Sequence, residues 1–290
     1  MAVPIVGART AYDVVRWGQL AELAVRGLHE IYEADSTGLP WTRRWDGRRA
    51  KCQGHSVRYA LISLIGLARA PVTLGPQRRL AGRLWRRVAG ASQKADLAVG
   101  DLGVGLWACS LAGWCVAEFA AERALRAYRD RPGGCNSIGL AWLLLGAEHA
   151  ILVDQRRREA WDLADEAKAA LLALYNPGTA LFYRHARGGL LHGVSRRVAC
   201  FANQIYPVMA LAVHARRTGC RQAAVVAGAV ADRLCQLQGR AGQWWWLYDV
   251  DRGDVVEGYP VFSVHQDGMA PMALLEAGRA LGRCYAEHIE

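Results

Sequence analysis

The sequence lacks the features that define several large protein classes. In its 290 residues, no stretch of eighteen apolar residues is free of charges and helix breakers, which argues against a transmembrane span. The first ten residues contain no basic segment followed by a long apolar one, so we expect no secretory signal. No two cysteines have the C-x-x-C spacing, and we therefore expect the eight cysteines to be reduced thiols of a cytoplasmic protein.

Motifs for nucleotide and metal chemistry are also missing. The chain has no P-loop, no G-x-G-x-x-G after a strand, no H-E-x-x-H and no G-x-S-x-G. His185 and His192 lie seven residues apart, with Cys200 nearby, but we interpret this region as a loop rather than a metal site. We therefore predict neither a cofactor nor a metal ion.

Lysine is scarce. Only Lys51, Lys94 and Lys168 are lysines, so arginine supplies most of the formal net charge of +10. This charge favours anionic partners. The arginine clusters lie in many segments and are not accompanied by a nucleic-acid-binding motif, so we interpret them as solvated outer faces of helices. The expected partner is a small-molecule substrate, with a preference for an anionic one, and not a nucleic acid.

What the sequence does contain is a repeated alternation of two kinds of helix. Five segments are apolar on nearly every face and rich in alanine and glycine, and a helix of that kind must be buried on all sides. Amphipathic segments with most of the arginine and glutamate lie between them. The inner helices are expected to begin near Ser56, Gly103, Ser137, Asn203 and Gly268. The outer helices are predicted at Tyr12–Tyr32, Pro76–Gly90, Glu118–Arg129, Asp154–Tyr175 and Arg221–Leu237.

This alternation predicts an all-α fold, an α/α toroid of about five to six helix hairpins in a single domain over residues 1–290. An irregular α-solenoid or bundle is the alternative. One segment departs from the helical pattern: aromatic residues and valines between residues 244 and 264 predict a small β-hairpin that turns at Asp251–Asp254.

Polar residues crowd the positions just before or at the start of the inner helices. If these helices run parallel, their amino-terminal ends meet at one mouth of the ring. Free N–H groups and the positive end of each helix dipole suit an anion or an oxygen-rich ligand there. Two alternatives remain open, because Ser, Asn and Asp often precede helices as N-caps, and a histidine beside a buried helix can be a core residue.

The densest group of polar and aromatic residues lies around the predicted hairpin. Acidic residues beside aromatic platforms suit sugar chemistry, and histidine and tyrosine suit proton abstraction next to a carboxylate. His265 is the best candidate for proton transfer, and Arg58 could hold an anionic group. The candidate catalytic residues are His265, Asp267, Asp101, Tyr259 and Glu257. The candidate substrate-binding residues are His55, Arg58, Asn203, Gln204, Tyr206, Trp244, Trp245 and Trp246.

The alternation from Tyr12 to Tyr285 resembles the α/α-toroid superfamily. That group includes six-hairpin glycosidases, uronyl hydrolases and epimerases, and the terpenoid cyclases and prenyltransferases. The resemblance is at fold level, since no catalytic motif of a single family matches. It implies an intracellular enzyme that acts on a sugar or uronic acid by hydrolysis, elimination or epimerisation. The alternatives are a cyclase or isomerase of an isoprenoid substrate and a non-catalytic ligand-binding toroid. The acidic residues near His265 favour the first.

Overall fold

The computed structural model describes residues 11–32, 39–70, 75–92, 97–114, 119–131, 133–186, 193–261 and 268–289. The helices are α1 (Ala11–Ile31), α2 (Val57–Arg69), α3 (Gly75–Ser92), α4 (Val99–Ala112), α5 (Ala121–Asp130), α6 (Ser137–Val153), α7 (Arg158–Leu174), α8 (Gly193–Arg197), α9 (Phe201–Thr218), α10 (Arg221–Leu237) and α11 (Ala270–Leu281). The strands are β1 (Thr42–Trp45), β2 (Ala50–Gln53), β3 (Tyr175–Asn176), β4 (Leu181–Phe182), β5 (Val198–Cys200), β6 (Leu247–Asp249) and β7 (Asp254–Val255).

The helices form two layers. Helices α2, α4, α6, α9 and α11 make an inner row in which each packs on the next, while α3, α5, α7 and α10 cover the row from outside. Every residue of α6 from Gly139 to Ile151 is buried, whereas the outer helix α5 buries only Ala121, Ala124 and Leu125. The predicted alternation of fully apolar and amphipathic helices is therefore confirmed, because the number of packed neighbours decides how many faces must be apolar.

The inner helices run parallel, as cross-helix contacts at both ends show. Ser137 at the start of α6 donates a hydrogen bond to Asn203 near the start of α9. Twelve or so residues further on, Glu148 of α6 contacts His214 of α9. The amino-terminal ends of the inner helices therefore lie on one side of the molecule and their carboxyl-terminal ends on the other.

Glycine permits the closest approach in the row, between α4 and α6. A Cβ atom on Gly103 would lie 2.6 Å from the backbone nitrogen of Leu143, and one on Gly100 would lie 2.8 Å from the Cα atom of Gly139. A Cβ atom on Gly146 would overlap the carbonyl oxygen of Gly103. The small residues of these segments thus bring two helical backbones into direct contact.

The two ends of the inner row are less buried than the middle. Tyr59 and Ile62 of α2 and Leu275 of α11 are exposed. The expectation that all five inner helices are nearly fully buried is therefore wrong for α2 and α11, since each of them has an inner neighbour on one side alone among the described helices. Helix α4 also begins four residues before the expected Gly103.

The strands are short additions to the helical layers. The predicted hairpin is present as β6 and β7, and β5, immediately before α9, adds a third antiparallel strand to it. The sequence did not predict the hairpin of β1 and β2 or the short pair of β3 and β4. Six of the described cysteines are free thiols, namely Cys52, Cys135, Cys200, Cys220, Cys235 and Cys284, and Cys115 lies outside the described residues. None of the helices in the described ranges is long and apolar enough to cross a membrane.

The close contact of α4 and α6 can be tested by adding one methyl group. Gly103→Ala should destabilise the protein by about 1–3 kcal/mol, because the new Cβ meets backbone that cannot rotate away. Gly66→Ala is the matched control in another inner helix, where nothing lies within 4 Å of the added Cβ. It should be neutral or slightly stabilising. Urea unfolding of the two variants measures both effects, and equal stabilities would contradict the packing described here.

Candidate functional site

Arg58 and Asp101 form a bidentate ion pair at the amino-terminal ends of two inner helices. The Nε atom of Arg58, the second residue of α2, donates to Oδ1 of Asp101 over 2.5 Å, and its Nη2 donates to Oδ2 over 3.1 Å. Asp101 is the third residue of α4 and is buried. The hydrogen bonds to Asp101 raise the pKa of Arg58 further above its usual range. The Arg58 side chain is 42% exposed, so this pair is open to solvent from one side.

An aromatic wall stands beside the ion pair. The guanidinium carbon of Arg58 lies 5.1 Å from the ring centre of Trp142 on α6. The Trp142 ring in turn meets Tyr206 of α9 edge to face, with 5.5 Å between ring centres. Burial raises the pKa of the Tyr206 phenol to about 12, so its hydroxyl stays protonated near neutral pH. Four consecutive inner helices thus contribute one side chain each to a single group, Arg58–Asp101–Trp142–Tyr206.

The helix starts around this group are ordered by local caps. The hydroxyl of Ser56 accepts a hydrogen bond from Tyr59 N, and the side chain of Asn136 accepts one from Gly139 N. The capping alternative is therefore correct for Ser56 and Asn136. We call the surface around these helix starts the amino-terminal mouth. Uncapped N–H groups and parallel helix dipoles give it a positive potential.

The β5–β6–β7 sheet borders the same mouth. The backbone nitrogen of Phe201, the first residue of α9, donates to the carbonyl oxygen of Trp246 over 3.0 Å. Trp246 N in turn donates to the carbonyl oxygen of Tyr259 over 2.9 Å. Trp246, Glu257 and Tyr259 are exposed. The sheet therefore places an indole, a carboxylate and a phenol at the rim beside α9.

The structure places other expected substrate contacts inside the protein. Gln204 is buried and bonds the backbone of Phe182 through both its amide oxygen and its amide nitrogen. Asn203 is buried, accepts from Cys200 N and donates to Ser137. Both amides hold loops against α9, and their polar atoms face protein groups rather than the open mouth.

The three consecutive tryptophans do not form one wall. Trp244 is buried and stacks on Phe201, with 5.4 Å between ring centres, so it belongs to the core. Trp245 is half-buried and its ring nitrogen donates to the carbonyl oxygen of Leu237. Of the three tryptophans expected to bind substrate, Trp246 is the one whose ring is exposed.

Two central candidates cannot be placed. His265 and Asp267 lie outside the described residues, so their relation to the ion pair stays a prediction. His55 is described and exposed, directly before the cap of α2. The structure therefore brings together Arg58, Asp101 and Tyr206 of the expected set, with His55 nearby along the chain.

Trp142 is a site residue that the sequence analysis missed. It lies within an apolar helix, where the sequence pattern predicts that an aromatic residue belongs to the hydrophobic core. A positional signal was available, because Trp142 is the sixth residue of α6 and Tyr206 the sixth residue of α9. Equal depth in parallel inner helices puts side chains at the same level of the ring.

A cavity of about 540 Å³ is lined by the carboxyl-terminal ends of α5 and α7, the start of α6 and the segment after β3, and none of Arg58, Asp101, Trp142 and Tyr206 lines it. Its wall includes Tyr128, Cys135, Tyr175 and Arg196, and carries no carboxylate. Burial raises the pKa of the Cys135 thiol to about 11 and that of both tyrosines above the usual value. These groups stay protonated near neutrality, so the cavity lacks an acid/base pair and the mouth is the better candidate. Within the described ranges, no three His, Cys, Asp or Glu residues are grouped so that they could hold a metal ion.

No family model matches the sequence, and no curated protein matches it either. Solved structures do match in fold. A variant of UGL with dGlcA-Glc-Rha-Glc has a TM-score of 0.68 and 15% identity, over 94% of this chain and 80% of that one. An inactive variant of the α-1,6-mannanase GH76A of Salegentibacter sp. HEL1_6 in complex with α-1,6-mannotetrose has a TM-score of 0.65 and 11% identity, over 94% and 83%. The unsaturated glucuronyl hydrolase of Bacillus sp. GL1 has a TM-score of 0.61 and 15% identity, over 94% and 79%. These proteins are α/α toroids, which confirms the predicted fold class.

The opposite ends of the inner helices hold a second polar cluster, which is closed to solvent. Glu148 is fully buried and accepts hydrogen bonds from His214 Nδ1 over 2.6 Å and from Arg217. Burial alone raises the pKa of the Glu148 carboxyl, but the two hydrogen bonds outweigh it and leave the pKa below its usual value. Cations suit this side because the carboxyl ends of helix dipoles are negative.

His149, next in the chain, stays neutral in the same cluster. Its Nδ1 lies 2.8 Å from the carbonyl oxygen of Leu145, so it must carry the proton, and its Nε2 accepts from Arg69 over 3.3 Å. Burial lowers the pKa of His149 to about 4. Between pH 6.5 and 4 the unfolded chain therefore binds a proton that the folded protein excludes.

This difference predicts an acid-sensitive fold. Stability should fall by about 3 kcal/mol as the pH drops from 6.5 to 4, and be fully regained above pH 6.5. His149→Gln, which keeps an acceptor but cannot titrate, should lose much less in this window. His55→Gln, at an exposed position, is the control and should behave like the unaltered protein. Unfolding free energies measured at several pH values test this, and identical acid losses in all three proteins would refute it.

Proposed function

We propose that the chain is an enzyme that acts on a sugar or uronic-acid-type substrate at the amino-terminal mouth, by acid/base catalysis. The observation that carries the proposal is the Arg58–Asp101 pair. It sets a buried carboxylate, reachable from one side, on the first turn of an inner helix and next to the ring of Trp142. A carboxylate in that position can take a proton or stabilise a positive charge that develops on a sugar ring.

Each group of the mouth has a chemical part in this proposal. Asp101 is fixed in orientation by two charge-assisted hydrogen bonds from Arg58. The protonated hydroxyl of Tyr206 is suited to donating a hydrogen bond. A proton donor is also needed, and we assign it to the rim beside α9, where Glu257 and Tyr259 lie. His265 and Asp267 stay candidates that the sequence predicts.

Two features support a sugar with an acidic group. Exposed aromatic rings such as Trp246 and Tyr259 can pack on the C–H face of a sugar ring. The guanidinium of Arg58 and the helix amino termini favour a carboxylate. The solved structures of similar fold include proteins named for glucuronyl and mannosyl substrates, which supports the same substrate class. We also propose a cytoplasmic location, because Cys52, Cys135, Cys200, Cys220, Cys235 and Cys284 are free thiols, as cysteines are in a reducing compartment.

Asp101→Asn tests the assignment. The substrate is first chosen with the unaltered protein from a panel of unsaturated uronyl oligosaccharides, saturated uronides and α-1,6-linked mannooligosaccharides. For the sugar that the unaltered protein converts, the kcat/KM of the Asp101→Asn variant should fall by about 10²–10⁴-fold. Asp232→Asn is the matched control, because Asp232 also pairs with an arginine, Arg283, but on the outer layer. It should keep full activity.

Two results would decide against this proposal. One is a kcat/KM of the Asp101→Asn variant within a few-fold of that of the unaltered protein, when the Asp101→Asn and Asp232→Asn variants have the same melting temperature. The other is the absence of both turnover and binding across the whole panel, which would favour a toroid without this activity. Thermal melting of each variant separates lost chemistry from lost folding.

A further inference from the structure

Almost all of the net charge of this protein lies on two neighbouring elements. Residues 41–53, which contain β1 and β2, carry five basic residues and one acidic residue. Helix α3 carries five arginines and no acidic residue. Together they account for nine of the ten net positive charges of the chain, so the remaining residues are nearly balanced. The sequence-based interpretation of the arginine clusters as solvated outer faces of helices fits α3, but Arg43, Arg44, Arg48 and Arg49 lie on a β-hairpin instead.

The β1–β2 hairpin is exposed in a way that its own packing does not explain. All residues from Trp41 to Arg49 are exposed, with Trp41 at 61% and Trp45 at 71%. A two-stranded hairpin without an apolar face against the core is marginally stable in water. Arg44 lies directly opposite Lys51 across the strands, and like charges in such a pair destabilise a hairpin. Lys51 is paired with Asp46 over 2.9 Å, whereas among the described hairpin residues no ion pair neutralises Arg44, and the two exposed indoles have no apolar cover. A ligand with both anionic groups and apolar ring faces would complement this surface.

The hairpin offers aromatic and cationic groups on one face. Side chains alternate along an extended chain, so Arg43 and Trp45 share a face with Trp41, which immediately precedes the strand. The ring of Trp41 covers Gly54, where a Cβ atom would overlap the indole and where φ is +66°. Glycine at position 54 thus lets the indole lie flat on the backbone that leads into α2.

The hairpin and α3 both contact the end of α1, and the foot of the hairpin is bonded to the start of α2. Arg43 lies 3.5 Å from Glu30 of α1, and Arg83 of α3 stands over the ring of Tyr32, which directly follows α1. Ser56, the cap of α2, donates its N–H to the carbonyl oxygen of Leu39, at the foot of the hairpin. Arg58 follows two residues later. The basic surface therefore runs up to the edge of the amino-terminal mouth.

We propose that this hairpin, with Trp41, Arg43, Trp45, Arg48 and Arg49, is a docking surface for the chain of an acidic polysaccharide whose end enters the mouth. The proposal rests on the proposed function for the choice of ligand. Arginine forks bind carboxylates, and the indoles stack on the sugar rings between them. This surface binds a long anionic substrate at sugar units other than the one that reacts in the mouth.

The placement of the tryptophans argues for a chain lying on the strands rather than for a membrane. A hairpin that inserts into a bilayer needs apolar residues at its tip, where the interface is reached first. Here the tip is Asp46-Gly47-Arg48-Arg49, with the carboxylate of Asp46 bonded to the backbone of both arginines. The indoles lie along the strand face instead, on the route to the mouth.

Binding of polygalacturonate to the Asp101→Asn protein tests this, because the measurement needs no turnover. At about 0.15 M salt, the Trp41→Ala/Trp45→Ala variant should bind polygalacturonate about ten-fold more weakly, the size expected for two aromatic contacts. The triple variant Arg43→Gln/Arg48→Gln/Arg49→Gln should also bind more weakly and show a shallower salt dependence. Arg156→Gln/Arg157→Gln/Arg158→Gln, which removes the same charge from the start of α7, is the control and should bind normally.

Three outcomes would overturn the docking surface. They are equal loss of binding in the hairpin and control triple variants, no preference for polygalacturonate over neutral dextran, and tighter binding to phosphatidylglycerol vesicles or to an oligothymidylate at the same salt. When Asp101 is left unchanged, the Trp41→Ala/Trp45→Ala variant should keep its kcat/KM on the shortest substrate. If the unaltered protein turns over no substrate while the tryptophan variant still binds polygalacturonate more weakly, the result counts against the proposed function and not against the docking surface.

Discussion

The whole arrangement depends on the direct backbone contact between α4 and α6. Because Gly100, Gly103 and Gly146 lack side chains, the two helices approach until backbone meets backbone. Parallel packing at that distance fixes their relative height along the ring axis. Asp101, in the same turn as Gly100 and Gly103, is thereby held close to α6, where its partner Arg58 lies over the ring of Trp142. A larger residue in the contact would separate the aromatic wall from the carboxylate, so the fold and the candidate site rest on the same few positions.

Parallel inner helices also sort charge between the two ends of the ring. The amino-terminal ends share a positive potential, and the carboxylate of Asp101 lies in the first turn of α4. The carboxyl-terminal ends share a negative potential, and Arg69, Arg217 and Arg279 lie in the last turns of their helices. At each end the charged residue pairs with a residue of opposite charge: Asp101 with Arg58, and Arg217 with Glu148. The two ion-pair clusters follow from helix direction.

Periodicity predicted the two helix layers because it reports the number of buried faces, and Arg221–Leu237 matches α10 residue for residue. It predicted the β6–β7 hairpin because valines and aromatics surround a polar turn. It did not predict β1 and β2, since TRRW and AKCQ bury no face and thus carry no alternation of apolar and polar residues. For the site, polar residues before inner helices identified Arg58 and Asp101. The same reasoning included Asn203 and Gln204, because composition cannot distinguish an amide that binds a ligand from one that binds a neighbouring loop.

The contrast between the two ends of the ring explains why one of them is the candidate site. Both ends hold a carboxylate bonded to an arginine. At the carboxyl-terminal ends of the inner helices, Glu148 is fully buried and bonded to His214 and Arg217, and the ring of Trp161 lies over Arg217. A ligand from solvent therefore cannot reach the Glu148 carboxylate. At the amino-terminal mouth, Arg58 is open to solvent, because α2 ends the inner row and its outward side has no inner helix beside it among the described ones. The same exposed side continues into the basic hairpin. Access, and not the chemistry of the ion pair, therefore separates a cluster that holds the fold from one that can meet a substrate.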